Sequence, residues 1–145
     1  VNYPVEIAGQ PWEITCVDMG NPHCVVFCSR VDGVDVARIG PQFEHAPYFP
    51  DRINTEFIRV VNPSTIKMRV WERGSGETWA CGTGATASVL ASILMGYVDD
   101  EAEVSLRGGK LMIRLDRATG HLFMTGPAVE VFNGTIDIPQ EIYYD

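Results

Sequence analysis

Trp71 to Ala87 reads W-E-R-G-S-G-E-T-W-A-C-G-T-G-A-T-A, and the reading of this stretch decides the fold. Ile66 to Arg73 has the β-branched and alternating apolar positions of a strand, Gly74-Ser75-Gly76 breaks it, and a helix of small residues opens at about Gly82 and runs to Gly96. Cys81 therefore stands immediately before a helix N-terminus. Unpaired backbone N–H groups and the positive end of the helix dipole favour anions there, which predicts a stabilised thiolate of lowered pKa and a docking point for a substrate carboxylate.

The Gly82–Gly96 helix carries no charge: Ala85, Ala87, Val89, Leu90, Ala91, Ile93, Leu94 and Met95 are separated only by small hydroxyl residues such as Ser88 and Ser92. A helix without a polar face is buried all round. The elements on either side are short strands. Pro11 to Asp18 alternates, Gly20-Asn21-Pro22 forces a turn, and His23 to Cys28 is a near-continuous apolar run, as in a strand covered on both faces. Asp35 to Ala46 has helical spacing at Val36, Ile39 and Phe43 with Gly40-Pro41 inside it, which predicts two short helices or one broken helix, ended by Pro47 and Pro50. Arg52 to Asn62 is a strand that turns at Asn62-Pro63-Ser64 into the strand at Ile66. Beyond the apolar helix, Ala102–Arg107, Lys110–Asp116, Leu122–Thr125, Ala128–Phe132 and Thr135–Ile138 read as further strands, with Asn133-Gly134 a hairpin turn rather than a glycosylation acceptor. The predicted class is α+β, a strongly curved, mostly antiparallel sheet or barrel wrapped around a central apolar helix.

The chain of 145 residues suits one domain with a sizeable core. A net charge of −8 without a Lys/Arg cluster argues against nucleic acid. Neither a bilayer-spanning apolar run nor a signal peptide is visible, so the cytoplasm is the expected compartment and a membrane is not an expected partner. Cys16, Cys24, Cys28 and Cys81 form no C-x-x-C pair and no zinc spacing, which predicts reduced thiols. No metal or other cofactor is expected.

Free cysteines are commonly buried and inert. Gly82 and Gly84 beside Cys81 allow close approach of a ligand or backbone, which favours a reactive role. Glu72 and Arg73 close the preceding strand; a solvated charged end is the plain reading, and the functional one has Arg73 holding a carboxylate in a fork while Glu72 contacts an ammonium or assists the thiol. His23 stands alone on an apolar strand, the ordinary setting of a satisfied core histidine. Alternation puts His23 and Cys24 on opposite faces, and the expectation is that His23 faces the cleft of Cys81 with Cys24 in the core. Asn21 and Asn54 are turn or loop residues unless the fold brings them to Cys81. Two further patterns overlap the same residues. Gly82 to Ala87 fits G-x-G-x-x-A, but the strand that should feed its glycines ends near Arg73 and no acidic residue closes the next strand. A Cys81–His23 acyl-transfer pair is formally open and has no local signature.

Four ordered motifs, M-G-N-P-H-C-V-V-F at Met19–Phe27, I-N-T-E-F at Ile53–Phe57, E-R-G-S-G-E-T-W-A-C-G-T-G-A at Glu72–Ala85 and M-T-G-P-A at Met124–Ala128, strongly resemble the diaminopimelate epimerase family. The resemblance implies two pseudo-symmetric halves, each a barrel-like sheet around a central helix, meeting at a cleft to which each contributes one catalytic cysteine. The chain resembles the C-terminal half, and its start at Val1 without a methionine suggests a fragment. The resemblance further implies that Cys81 is one acid/base with Glu72 beside it, that His23 lies by the cysteine of the missing N-terminal half, and that Asn21, Asn54, Glu72, Arg73, Gly82 and Thr83 contact the amino-acid end of a small-molecule substrate. No second A-C-G-N-G or A-C-G-T-G motif is present. Stereochemical inversion requires opposed acid and base groups, so one reading is an epimerase half, for diaminopimelate or another amino acid, inactive alone. The other is a folded but non-catalytic half that binds ligand weakly, joins its partner half or pairs with a second copy.

Overall fold

The computed structural model describes residues 1–137. It contains β1 (Tyr3–Ile7), β2 (Gln10–Asp18), β3 (Pro22–Phe27), a 3-10 turn (Val31–Gly33), α1 (Val36–Glu44), β4 (Asn54–Asn62), β5 (Thr65–Glu72), β6 (Gly76–Thr78), α2 (Gly82–Leu94), β7 (Glu101–Leu106), β8 (Gly109–Leu115) and β9 (Leu122–Thr125). The nine strands of the described residues form one sheet, eight of them in the order β1-β2-β3-β4-β5-β7-β8-β9 and β6 off this path against β5. The β5 edge opposite β4 is shared: its start at Thr65–Lys67 pairs with β7, and its end at Val70–Glu72 pairs with β6. Among the described residues the sheet is open, since β1 and β9 each pair with one neighbour, and it forms a curved sheet rather than a closed barrel.

Every pairing is antiparallel except β3–β4 and β5–β7. Parallel neighbours need a crossover, and the two crossovers carry the two helices: α1 lies between β3 and β4 in the chain, α2 between β5 and β7. Strands β3 and β5 run in opposite directions while both connections step the same way along the sheet. The preferred right-handed crossover then puts the helices on opposite faces, and that is where they pack. Val26 and Phe57 are buried with Val36, Ile39 and Phe43 of α1, whereas their chain neighbours Val25 and Ile58 are buried with Ala85, Val89 and Ala91 of α2. The apolar run in β3 is explained by this double coverage.

Helix α2 touches β2, β3, β4, β5, β7, β8 and β9, which requires the sheet to curl around it. Ala85, Ala87, Val89 and Ala91 are fully buried, and exposure is confined to the two ends of the helix, at Thr83 in the first turn and at Leu94, 62% exposed. Its buried hydroxyls have partners: Ser88 Oγ donates to Met68 Sδ at 3.4 Å and Ser92 Oγ to the Ser88 carbonyl at 2.7 Å.

The strand at Ala128–Phe132 does not form, and residues 135–137 are also irregular, so Asn133-Gly134 joins no hairpin; Ile138, the end of that expected strand, lies outside the described residues. The alternation at Ala128–Phe132 is real, but among the described residues no strand edge receives it, and Val129, Val131 and Phe132 are at least 80% exposed. The expected break at Gly40-Pro41 is likewise absent: α1 is continuous through Pro41. Gly40 has another use. A Cβ there would fall 2.4 Å from the Trp71 ring, which lies flat against the helix.

Candidate functional site

Cys81 is the N-cap of α2, with extended backbone (φ −143°, ψ 111°). Its Sγ accepts the Gly84 N–H at 3.3 Å and lies 3.6 Å from Thr83 Oγ1. Capping fixes the thiol over the first turn, where the helix N–H groups converge. The residue is 8% exposed. Burial, the largest influence, pushes the thiol pKa up; Thr83 and Gly84 pull it down, and the charges of Glu72 and Glu56 push it up again. The sum is a raised pKa, opposite to the lowered one expected from the helix start alone. Desolvation and two neighbouring carboxylates outweigh two weak donors to sulfur, so Cys81 rests as a thiol.

Glu72 reaches this side of the sheet because residues 66, 68, 70 and 72 of β5 alternate onto the α2 face, where Ile66, Met68 and Val70 are core. Its Oε1 accepts from Thr78 Oγ1 of β6. Arg73, one residue on, turns the other way: its Nη1 donates to the Asp51 carbonyl at 2.9 Å, and its backbone N–H donates to Asn54 Oδ1 at 2.9 Å. Asn54 completes a clamp by donating from Nδ2 to the Pro22 carbonyl at 2.8 Å. Both halves of its amide thus tie the ends of β3, β4 and β5 together, and the residue is 5% exposed. Asn21, at the turn made by Gly20 (φ +92°), donates from Nδ2 to Thr83 Oγ1 at 3.4 Å. The turn and the helix start are thereby joined, and Gly82 and Thr83 lie between them and Cys81.

His23 lies on the α2 face and Cys24 under α1, the sides given by alternation, but His23 is fully buried rather than open to a cleft. Its Nδ1 is 2.7 Å from Glu56 Oε1 and its Nε2 is 3.1 Å from Asn21 Oδ1. Both ring nitrogens are committed, so His23 does not serve Cys81 as an acyl-transfer base. Glu56 is the residue that sequence reasoning missed. It is fully buried, burial raises its carboxyl pKa above the usual range against the pull of His23, and its Oε2 has no hydrogen-bond partner among the described residues. The signal was present as a carboxylate inside the apolar strand I-N-T-E-F, at an α2-facing position. Met124 of β9 also arrives at the site, against Gly82, where an added Cβ would lie 3.0 Å from its Sδ.

Among the described residues, no group of three or more His, Cys, Asp or Glu is arranged to hold a metal ion. No helix among them is long and apolar enough to cross a membrane.

The chain matches the family model described as diaminopimelate epimerase over residues 15–131. It is 54% identical over 138 residues to the diaminopimelate epimerase of Synechococcus elongatus, covering 95% of this chain and 49% of that protein. With that of Desulfovibrio desulfuricans it shares 55% over 131 residues, covering 90% of this chain and 46% of the relative. The chain spans about half the length of the curated relatives it matches. Among solved structures, a phenazine biosynthesis protein of the PhzF family from Bacillus anthracis is similar with a TM-score of 0.54 at 19% identity, covering 84% of this chain and 40% of that one. A PhzF-family protein from Enterococcus faecalis gives 0.53 at 16%, covering 81% and 42%. At these identities the likeness is one of fold.

Proposed function

The chain belongs to the diaminopimelate epimerase family, and from that premise we propose that it is the C-terminal half of a cofactor-independent epimerase interconverting LL- and meso-diaminopimelate, a step of lysine and peptidoglycan-precursor synthesis in the cytoplasm. The observation that carries this reading is the Cys81 thiol, capped onto α2 and flanked by Glu72, at the place where a small carboxylate meets helix N–H groups. Inversion at a carbon bearing hydrogen needs a base on one face and an acid on the other. With its pKa raised, Cys81 is the acid of the resting state: a base on the opposite face takes the α-proton, and the Sγ–H proton of Cys81 passes to the carbon, leaving a thiolate that is the base for the reverse direction. Gly82, Thr83 and Asn21 hold the substrate carboxylate and Glu72 its ammonium, while Arg73, its guanidinium on the Asp51 carbonyl, supports the site through its backbone tie to Asn54. Asn54 contributes through its clamp on the strand ends. Charge developing on the carboxylate in the transition state is met by the N–H groups of the first turn.

The opposing base belongs to an N-terminal half. Cys16, Cys24 and Cys28 lie on or beside strands β2 and β3, and none caps a helix. Trp79, Phe123 and Met124, each at least 47% exposed, together with the apolar residues of 128–132, are the surface on which that half packs. The test follows epimerisation of LL-diaminopimelate and α-proton exchange into deuterated solvent for the chain alone, for Cys81→Ala, and for the chain with an N-terminal half carrying the second cysteine motif. The expected result is turnover only in the reconstituted pair with Cys81 intact. Cys81-dependent racemisation by the chain alone would refute this and show that two copies build a site between them.

A further inference from the structure

The hydrogen bonds that begin at Cys81 continue into the core. Sγ of Cys81 is 3.6 Å from Thr83 Oγ1, which accepts from Asn21 Nδ2 at 3.4 Å; Asn21 Oδ1 is 3.1 Å from His23 Nε2, and His23 Nδ1 is 2.7 Å from Glu56 Oε1. Donor and acceptor inventories fix the directions around Asn21. Asn21 uses its N–H on Thr83, so its carbonyl oxygen accepts, and His23 Nε2 carries a hydrogen. Thr83 Oγ1 receives the Asn21 hydrogen on one lone pair and keeps its own hydrogen to give, and across the 3.6 Å contact with Cys81 either atom can donate. Between His23 Nδ1 and Glu56 Oε1 one further hydrogen is shared.

A buried carboxylate with one oxygen unpartnered is costly, and an apolar residue among Phe57, Ile58 and Val25 would be more stable there. The helix also makes room for it: a Cβ on Gly84 would lie 2.6 Å from Glu56 Oε1. These features ask for a role beyond packing. We propose that Glu56 is a positioning residue for Cys81, holding His23 in the form with hydrogen on Nε2 so that Asn21 and Thr83 are oriented with the Thr83 hydroxyl donating to the Cys81 sulfur. The inference rests on the reading of Cys81 as an acid/base thiol. The groups facing that sulfur are Glu72 from β5 and Glu56 from β4, which oppose its ionisation, and the Thr83 hydroxyl and Gly84 N–H of α2, which favour it; His23 of β3 stands behind Glu56.

The test reads the pH midpoint of iodoacetamide alkylation at Cys81, resolved from the other thiols by peptide mass spectrometry, in the full chain without substrate. Glu56→Gln and Glu56→Leu both remove the carboxylate charge. Only glutamine can donate to His23 Nδ1 and leave the hydrogen on Nε2. Glu56→Leu should therefore alkylate about fivefold more slowly than Glu56→Gln at neutral pH, the scale of one ordinary hydrogen bond, with its midpoint shifted upward. Asn21→Ala, at a half-buried turn position, should slow Cys81 by a similar factor and abolish the difference between the two Glu56 variants. Equal midpoints for Glu56→Gln and Glu56→Leu in folded protein would overturn the proposal. If Glu56→Leu does not fold, an Asn21→Ala variant with the wild-type midpoint overturns it alone. None of these readouts depends on turnover, so a relay that holds in a chain that never epimerises, reconstituted or not, would separate this inference from the functional reading.

Discussion

Replacing Gly84 with alanine sets two effects against each other at the first turn of α2. Helix propensity favours alanine by about 1 kcal/mol. Against it, the new Cβ would meet Glu56 Oε1 at 2.6 Å and Glu56 Cδ and Cγ at 3.1 Å. A glutamate end is ordinarily free to swing aside, but this one is fully buried and pinned to His23 at 2.7 Å. The clash must be relieved by moving the helix start or breaking the pair, and overpacking of this kind costs about 1–3 kcal/mol. The net loss expected is centred at about 1 kcal/mol, with about 2 as its upper end, which lowers the melting midpoint of a chain of this size by a few degrees and at most about 8 °C. Circular dichroism melts of wild type, Gly84→Ala, Glu56→Ala and the double variant form the cycle. In the Glu56→Ala background the clash is gone and Gly84→Ala should be neutral or stabilising. A Gly84→Ala protein that melts at or above wild type with Glu56 intact would refute the placement of that carboxylate beneath the helix.

Three further outcomes are expected. Burial is the largest single influence on Glu44 and raises its pKa, but the Trp71 indole at 2.7 Å, the Gly74 N–H and the charges of His45 and Arg52 together hold it below the usual value; its stabilisation is therefore present above the unfolded-state pKa and lost as pH falls through the folded one. Trp71→Phe should cost about 1.5–3 kcal/mol in urea unfolding at pH 7, with the gap to wild type narrowing as the pH falls below the usual carboxylate range; a gap that does not change with pH would count against the pair. The Cys24 thiol lowers Cys16 to about 7, while burial raises Cys28 to about 11, so at pH 8 iodoacetamide should modify Cys16 before Cys28, and the reverse order by peptide mapping would contradict the exposure of β2. Ala91→Phe, at a fully buried position of α2, should destabilise by about 1–3 kcal/mol, and an unchanged melt would contradict the position of that helix in the core.

The strands and the apolar helix were legible because period and composition are local properties. Alternation located β2 and β5, turn residues bounded β4, β7, β8 and β9, and the uncharged run from Gly82 predicted a buried helix, whereas β1 gave no signal in the sequence reading. The same turn spacing predicts a strand at Ala128–Phe132 that does not form, because a strand exists only where another edge accepts its hydrogen bonds. β6 was invisible for the converse reason: three residues have no pattern, and they form a strand because the end of β5 left an edge open beside them. That α1 and α2 cover opposite faces follows from strand directions and crossover hand, which no single segment contains.

At the site, sequence by itself determined which groups are present and that Cys81 begins a helix, since capping is decided within a few residues. Tertiary structure alone decided the ionisation of that thiol, because burial and the approach of Glu56 and Glu72 come from β4 and β5, distant in the chain. It also decided that Asn54 ties strand ends, that Arg73 faces Asp51, and that His23 is bound to Glu56 rather than free. Glu56 itself, a charged residue in an apolar strand, carries its meaning only through the parallel register that places it one strand from His23 and beneath Gly84. Electrostatic and hydrogen-bond energies depend on distance in space, and register, curvature and burial set those distances after the local pattern has been read.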